Sequence, residues 1–418
     1  MSKKRFGVGI IGTGRRGFEL GTCIIDLYGT TDLEIRALCN RTRVRMEEAK
    51  TALLARYQER HNVSPQMALY EKYEDLIADP DVGLVLVVTP TYAHEEPAAR
   101  ALHAGKKVFL DKPIAPNLAA AVNIRTAEKE SGNPLVMGFT RRFEQKWLDV
   151  AELIQSDVVG DVKMLLHRAV VPYHNIFQSY MRRLEWSGGA LAEKVSHLFD
   201  VVNWFAGGPP ESVSSFGGRL VYVSEENAPK RCRECDRECP YRVGEKQEMV
   251  RQDNMVDFED SRSRETELIK LHDICVWLPG ADINDHGVVT IAFAGGVKAS
   301  VFWSLFGPDS DEQETIEIVG EKGKILLNRH QGRIDIISEY GKRHEVLDTK
   351  PDRFELSHFG ADHRLIEELD RFCKSGVSPV SAREGLGSAR LVEASHRSVD
   401  AGGELVSMGD VAGAELLT

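Results

Sequence analysis

The chain has 418 residues, 42% of them hydrophobic and 28% charged, the balance of a folded protein large enough for two domains. Its formal net charge of -11 argues against nucleic acid, whose phosphates demand a basic surface, and against an anionic membrane face. No apolar run reaches the roughly 18 residues that span a bilayer, and the basic start at Met1 lacks the apolar core and cleavage site of a signal peptide. A cytoplasmic protein is expected.

The elements alternate from the start. Phe6–Ile11 is a compact apolar run, followed by a glycine turn and an amphipathic stretch over 15–27. Leu33–Cys39 is a second strand, 43–60 a helix-former segment, and 82–88 an apolar strand suited to burial on both faces. Lys107–Leu110 and 134–137 each follow a helix. This rhythm predicts an N-terminal Rossmann domain over residues 1–140, a doubly wound parallel sheet of the α/β class. Beyond it the rhythm changes. A helix at 147–154 precedes a strand near 162–171, and another helix runs over 189–205. Five strands then follow in succession, at 288–293, 297–303, 315–319, 324–327 and 334–337, joined by short turns. A largely antiparallel open sheet is expected there, closed by helices near 361–375 and 382–400. Residues 141–418 thus read as an α+β domain for substrate binding and oligomerisation. Its charge-rich insertion, at about 224–285, is far longer than an ordinary connection.

Gly12-Thr13-Gly14-Arg15-Arg16-Gly17 is a G-x-G-x-x-G directly after a strand and opening a helix, the context a dinucleotide fingerprint requires. The first glycine makes the turn, the second admits a pyrophosphate to the backbone, and the third permits close helix–strand packing. The helix N-terminus then offers unpaired N–H groups to the phosphates. At the end of the second strand, where a carboxylate would bond the 2′-hydroxyl of NAD, stand Asn40, Arg41 and Arg43. With no carboxylate to repel a 2′-phosphate and two arginines near, NADP is favoured over NAD, although Asn40 equally suits a free 2′-hydroxyl.

Two further segments carry chemistry. Asp111-Lys112-Pro113 ends a predicted parallel strand, at the carboxyl edge where open α/β sheets bind ligands. In the segment from Trp186 to Asp200, Glu193 and His197 fall at i, i+4 and His197 and Asp200 at i, i+3, one face of a helix. A carboxylate oriented toward an imidazole is a plausible proton relay.

Together these segments resemble the glucose–fructose oxidoreductase, inositol dehydrogenase and rhizopine-catabolism family, Gfo/Idh/MocA, over nearly the whole chain. The cofactor turn matches, as do Val87-Val-Thr89-Pro90-Thr-Tyr-Ala-His94, which in the family borders the nicotinamide, and Asp111-Lys112-Pro113, which stands for its Glu-Lys-Pro. Gly138-Phe-Thr-Arg-Arg142-Phe143 resembles the segment leading into the second domain, and His358-Phe-Gly-Ala-Asp362 a stretch near the last helices. Glu193 and His197 fall where the family carries Asp-x-x-x-His; the Glu-Lys pair at 193–194 departs from it and adds a second lysine.

The resemblance implies hydride transfer between nicotinamide and a hydroxyl carbon of a sugar, glycoside or cyclitol. His197 would take the proton, Lys112 would stabilise the alkoxide, and Glu193 would orient His197. Thr89, Pro90, His94, Asp111, Lys112 and Arg142 are expected at the cofactor. Tyr173, His174, Trp186 and Asp200 are expected with Lys112 and His197 at the substrate, although each aromatic suits core packing equally well. The resemblance also implies a homo-oligomer, a dimer or tetramer. Two alternatives stay open: a NAD-dependent glycosidase working through transient oxidation, and a non-enzymatic NAD(P)H sensor, which would need neither Lys112 nor His197.

Seven cysteines, an odd number in a long chain, argue against a disulfide framework. Cys232, Cys235 and Cys239 have C-x2-C-x3-C spacing inside the insertion, and can hold a structural zinc if Cys275, or in reserve His272, completes the set. Free thiols are the plain alternative.

Overall fold

Leu84, Val85, Leu86 and Val87 are fully buried, which only a strand covered on both faces achieves. They form β4 (Leu84–Val87) near the middle of a six-stranded sheet. The structure, a computed structural model, describes residues 5–243, 273–349 and 357–417. Around β4 stand β1 (Phe6–Ile11), β2 (Leu33–Cys39), β3 (Ala68–Tyr70), β5 (Lys107–Leu110) and β6 (Leu135–Met137), in the order β3-β2-β1-β4-β5-β6. Every neighbouring pair is parallel. The order reverses between β1 and β4, the switch point at which open α/β sheets leave a crevice for a ligand. Helix α1 (Arg15–Asp26) follows β1, α2 (Arg43–His61) follows β2, α3 (Tyr73–Ala78) follows β3, α4 (Glu95–His103) follows β4, and α5 (Leu118–Ser131) follows β5.

The second sheet has nine strands among the described residues. Its strands are β7 (Val162–Val170), β8 (Pro210–Gly218), β9 (His286–Phe293), β10 (Lys298–Ser304), β11 (Glu314–Gly320), β12 (Lys324–Asn328), β13 (Arg333–Ser338), β14 (Arg343–Asp348) and β15 (Val406–Ser407). The order is β14-β13-β12-β11-β7-β10-β9-β8-β15, antiparallel throughout except for the β7–β10 pair. Strands β8 and β14 carry no sequence signal: β8 is Ser- and Gly-rich, and every residue of β14 is exposed. They form because a neighbouring strand edge accepts them.

One face of this sheet is covered by α6 (Gln145–Gln155) and α8 (Ser196–Phe205), while short α7 (Leu184–Ser187) lies beside the loop after β4. The last two helices return to the first sheet. Helix α9 (Ala361–Ser375) packs on α1, and α10 (Ala382–Asp400) spans α5, α8 and β8. The Met137 N–H donates to the Val380 carbonyl at 2.7 Å, so residues from the far end of the chain also edge the first sheet. No described helix is long and apolar enough to cross a membrane.

Candidate active site

The turn after β1 is built for close approach. Gly12 has φ +105°, and a Cβ there would lie 2.6 Å from the Val88 carbonyl oxygen. A Cβ on Gly17 would lie 2.0 Å from the Gly12 carbonyl oxygen, so this glycine lets α1 sit against the turn. Gly14 differs, because a Cβ there would meet nothing within 4 Å. It is the N-cap of α1 without a side-chain cap bond, and no acidic residue occupies the first turn. Open space in front of unpaired helix N–H groups fits a pyrophosphate. Thr13 closes the turn toward β2: its Oγ1 accepts from Asn40 Nδ2 at 2.8 Å, while Asn40 Oδ1 accepts from the Thr42 N–H at 3.2 Å.

The carboxyl edge of the sheet carries the candidate chemistry. Lys112, just past β5, donates from Nζ to the Glu193 carbonyl oxygen at 2.8 Å and to its Oε2 at 3.3 Å. The Thr91 hydroxyl, from the loop after β4, donates to Glu193 Oε1 at 2.6 Å. Glu193 is therefore shared by Lys112 and Thr91, and it does not orient His197 as the sequence suggested. The backbone explains the difference: residues Leu191–Val195 form a π-helical turn ahead of α8, not the regular helix on which the expected spacing rested.

His197, in the first turn of α8, is 7% exposed, and its Nδ1 is enclosed with no hydrogen-bond partner. Burial, and then the positive charges of Arg141, Lys112 and Lys194, hold it well below the ordinary histidine value. Both causes favour the neutral imidazole over the imidazolium. Lys194 points away from solvent toward Glu314 of β11 at 3.4 Å and lies 4.9 Å from the Tyr173 ring centroid. Glu314 also holds Arg141 through contacts of 2.8 and 2.5 Å, Arg329 at 3.5 Å and His167 at 3.4 Å. Burial alone would push the Glu314 carboxyl up. Arg141, Lys194 and Arg329 outweigh it and hold the group well below the usual range. The Tyr173 hydroxyl is also lowered, chiefly by Lys194. Behind His197 thus lies a buried cationic wall anchored on one carboxylate.

Several expected site residues are engaged elsewhere. Asp200 is 1% exposed and accepts two bonds from Arg142, at 2.8 and 2.9 Å, while the Arg142 guanidinium lies over Trp204. Each neutralises the other's buried charge, which gives both a partner within the protein. Arg16 is likewise clamped between Asp111 at 3.3 Å and Asp362 at 2.8 Å, tying α1 to the loop after β5 and to α9. The ring nitrogens of His94 face the carbonyl oxygens of Pro113 and Thr89, both at 2.9 Å, which locks the loops after β4 and β5 together. Thr89 Oγ1 bonds the Ala93 carbonyl and Pro90 opens the short 3-10 turn over Thr91–Ala93, so both shape this loop. Exposed Arg15 and Arg43 pair with Glu19 and Glu47, and Arg41 meets the Tyr92 hydroxyl. Trp186 packs beside Arg183, and the His174 ring lies 5.4 Å from Tyr241. The cysteines Cys232, Cys235, Cys239 and Cys275 line a cavity that includes none of the expected cofactor or substrate residues, and His272 lies outside the described residues.

Sequence reasoning passed over Thr91, Arg141 and Glu314. Thr91 follows Pro90 at the carboxyl end of β4, a position that alone marks it as ligand-facing. Arg141 adjoins Arg142, and the pattern of the chain does not say which of the two turns inward.

Comparison with known proteins settles the family. The NAD-binding Rossmann domain of the GFO/IDH/MocA oxidoreductase family matches residues 6–139, and that family's C-terminal domain matches residues 147–326. The chain belongs to the Gfo/Idh/MocA family. An inositol 2-dehydrogenase of Gluconacetobacter diazotrophicus is 32% identical over 148 residues, 35% of this chain and 41% of that protein. The chain covers similarly small shares, 40% and 43%, of two other curated relatives. A levoglucosan dehydrogenase solved with NADH and levoglucosan superposes with a TM-score of 0.72, covering 97% of this chain and 99% of the other at 16% identity. A putative myo-inositol dehydrogenase from Sinorhizobium meliloti superposes at 0.65, covering 96% and 99% at 20% identity. At those identities the two structures establish a shared fold.

Proposed function

We propose that this family member is a NAD(P)-dependent dehydrogenase acting on a hydroxyl carbon of a sugar or cyclitol. The observation that carries the reading is Lys112, held by Glu193 at the carboxyl edge of the first sheet, with its charge acting on the buried His197, whose Nδ1 has no partner, beyond the open Gly14 turn. The names of the relatives support the substrate class. Residues Gly12 to Gly17 hold the pyrophosphate, and the bound nicotinamide supplies the hydride acceptor. His197 takes the hydroxyl proton as the carbon gives up its hydride and becomes a carbonyl. Lys112 Nζ donates to the hydroxyl oxygen as negative charge develops on it. Glu193 is a positioning residue: its carbonyl and carboxylate aim Lys112, and Thr91 fixes the carboxylate. Tyr173, exposed beside Lys194, offers an aromatic face to the C–H side of the substrate.

The test mixes purified protein with NAD or NADP and a panel of inositols, aldoses and glycosides. Reduced cofactor accumulates with a free polyol, and Lys112→Ala and His197→Ala bind cofactor without turnover. Unchanged turnover in both variants overturns the assignment. Sugar released from a glycoside with no net reduction points instead to bond cleavage through transient oxidation. Because β2 is followed by Asn40 and Arg41 with no carboxylate, the site accepts NADP at least as well as NAD, and Asn40→Asp should reverse that preference. If the variant still prefers NADP, Asn40 does not contact the ribose.

A second copy of the chain fits the open face of the nine-stranded sheet. Phe216, Val288 and Phe302 stand in one cross-strand row, and Met164 and Leu166 are exposed on the adjoining β7. Sedimentation at micromolar concentration should show a dimer or tetramer; a monomer refutes it.

A further inference from the structure

Cys232, Cys235, Cys239 and Cys275 line one small cavity, although 36 positions separate the last two in the chain. The cavity is placed by a short ribbon. Arg231 and Ile274 pair as an antiparallel bridge, the Cys232 N–H donates to the Asp273 carbonyl at 2.8 Å, and the Cys275 N–H donates to the Lys230 carbonyl at 3.2 Å. Cys232 therefore opposes Asp273, and alternation along the ribbon puts Cys275 on the same side. The Asp273 carboxylate fastens the ribbon by accepting from Arg231 and Arg233, each at 2.9 Å. A 3-10 turn over Cys232–Glu234 folds the chain back, with the Cys235 N–H donating to the Cys232 carbonyl at 3.2 Å.

The donors around the sulfurs give the second observation. The Tyr241 N–H donates to Cys239 Sγ at 3.4 Å, and Gln178 Nε2 donates to Cys232 Sγ at 3.7 Å. The backbone N–H groups of Val243 and Trp277 are turned toward Cys232 and Cys275. A thiol is a weak acceptor, whereas N–H donors directed at sulfur stabilise the thiolates that ligate a metal. The same local arrangement, an N–H two residues beyond its cysteine, occurs at Cys239–Tyr241 and at Cys275–Trp277. Arg237 and Arg242 also line the cavity and offset negative charge.

We propose that Cys232, Cys235, Cys239 and Cys275 bind one zinc ion as four thiolates, tying the two ends of the insertion together. All four are free of disulfides. Among the described residues no group of three or more ligating side chains already closes on a point, so binding requires the four thiols to rotate inward from their positions around the cavity. Zinc imposes no geometry beyond four-fold coordination and completes such a set without redox chemistry. The site also orders its surroundings. The Tyr241 carbonyl accepts from Gln178 Nε2 at 2.7 Å, and its ring lies 5.3 Å from Tyr222 and 5.7 Å from Trp277 as well as against His174. A bound ion thereby braces the segment around His174.

The full chain is purified without chelator or metal-affinity resin and its metal measured by plasma mass spectrometry, beside a thiol titration of the native protein. About one zinc per chain is expected, with the four cysteines protected from the thiol reagent. A mercurial should release the zinc into a colorimetric chelator. Cys235→Ser and Cys239→Ser should each lose most of the metal while still binding NAD, which checks that the cofactor domain is folded. If either variant fails to fold, zinc release from the unaltered protein still decides the question. Metal-free protein with freely reacting thiols, disulfides among the four, or iron with acid-labile sulfide in place of zinc would each overturn the proposal.

Discussion

Truncating Glu193 tests how the candidate lysine is held. Its carboxylate side chain is 7% exposed and that of Lys112 is 25% exposed. Lys112 has two contacts with this residue, and the shorter, at 2.8 Å, goes to the backbone carbonyl, which every substitution leaves in place. The side-chain contact is longer, at 3.3 Å, and partly solvated, so its loss should cost about 1 kcal/mol. The 2.6 Å bond from Thr91 to a buried carboxylate is worth about 1.5–2 kcal/mol more. Glu193→Gln keeps an acceptor for Thr91 and loses only the ion pair, so kcat/KM should fall about fivefold. Glu193→Ala loses both, roughly 2.5–3 kcal/mol, and should fall about 70- to 150-fold. The loss should appear mainly in kcat, because Lys112 meets the oxygen most strongly when charge develops there. The assay is the steady-state rate of cofactor reduction with the best polyol, with melting curves to confirm folding. A folded Glu193→Ala variant with kcat/KM within about twofold of the parent protein would refute the reasoning. A Gln variant as damaged as the Ala variant would show that charge alone carries the effect.

The two inner glycines of the turn should respond differently. Gly14→Ala should fold normally and weaken cofactor binding by roughly 10- to 100-fold, because the added methyl enters the space reserved for the pyrophosphate. Gly17→Ala should cost stability by about 2–3 kcal/mol, because its Cβ collides with backbone; calorimetry and cofactor titration separate the two. Arg142→Met leaves the buried Asp200 carboxylate unpaired and should cost about 3 kcal/mol in denaturant unfolding, with cofactor and substrate KM almost unchanged. Normal stability with a raised KM would return Arg142 to the site. Burial holds His197, His167 and His94 below their ordinary value, so under about pH 6.5 the unfolded chain binds more protons than the folded one. Stability present above that pH is lost as pH falls toward the folded values, and the unfolding midpoint should drop steadily from about pH 7 to 5. A flat midpoint across that interval contradicts the buried neutral state.

The parallel sheet was legible because its strands are short, apolar and punctuated by glycine turns, and a two-sided burial requirement leaves few other readings for Leu84–Val87. Lys112 was legible for a related reason, since it follows a buried strand at the edge where ligands bind. What escaped depends on partners distant along the chain. Thr91 and Glu193 are 102 positions apart, and Arg141 and Glu314 are 173 apart, so no local period reports either contact. The π-helical turn escaped for another reason: one extra residue per turn leaves composition unchanged while it redirects the side chains. The pairing of Asp200 with Arg142 escaped too, because an acid on the histidine's side of a helix looks the same whatever its partner is.

The clamp of Arg16 by Asp362 spans 346 positions. At roughly 5–20 residues per second of synthesis, that arginine waits about 20–70 s for the carboxylate that completes its surroundings. The cofactor fingerprint is therefore made long before the neighbourhood of its helix can be finished. Until then α1 lacks the cover of α9, and a nascent chain holding every glycine of the turn still carries an arginine with only part of its counter-charge. Ribosome-bound chains halted before 361 should differ from longer ones in protease resistance around α1, because the surroundings of the nucleotide crevice are complete only once Asp362 has been made.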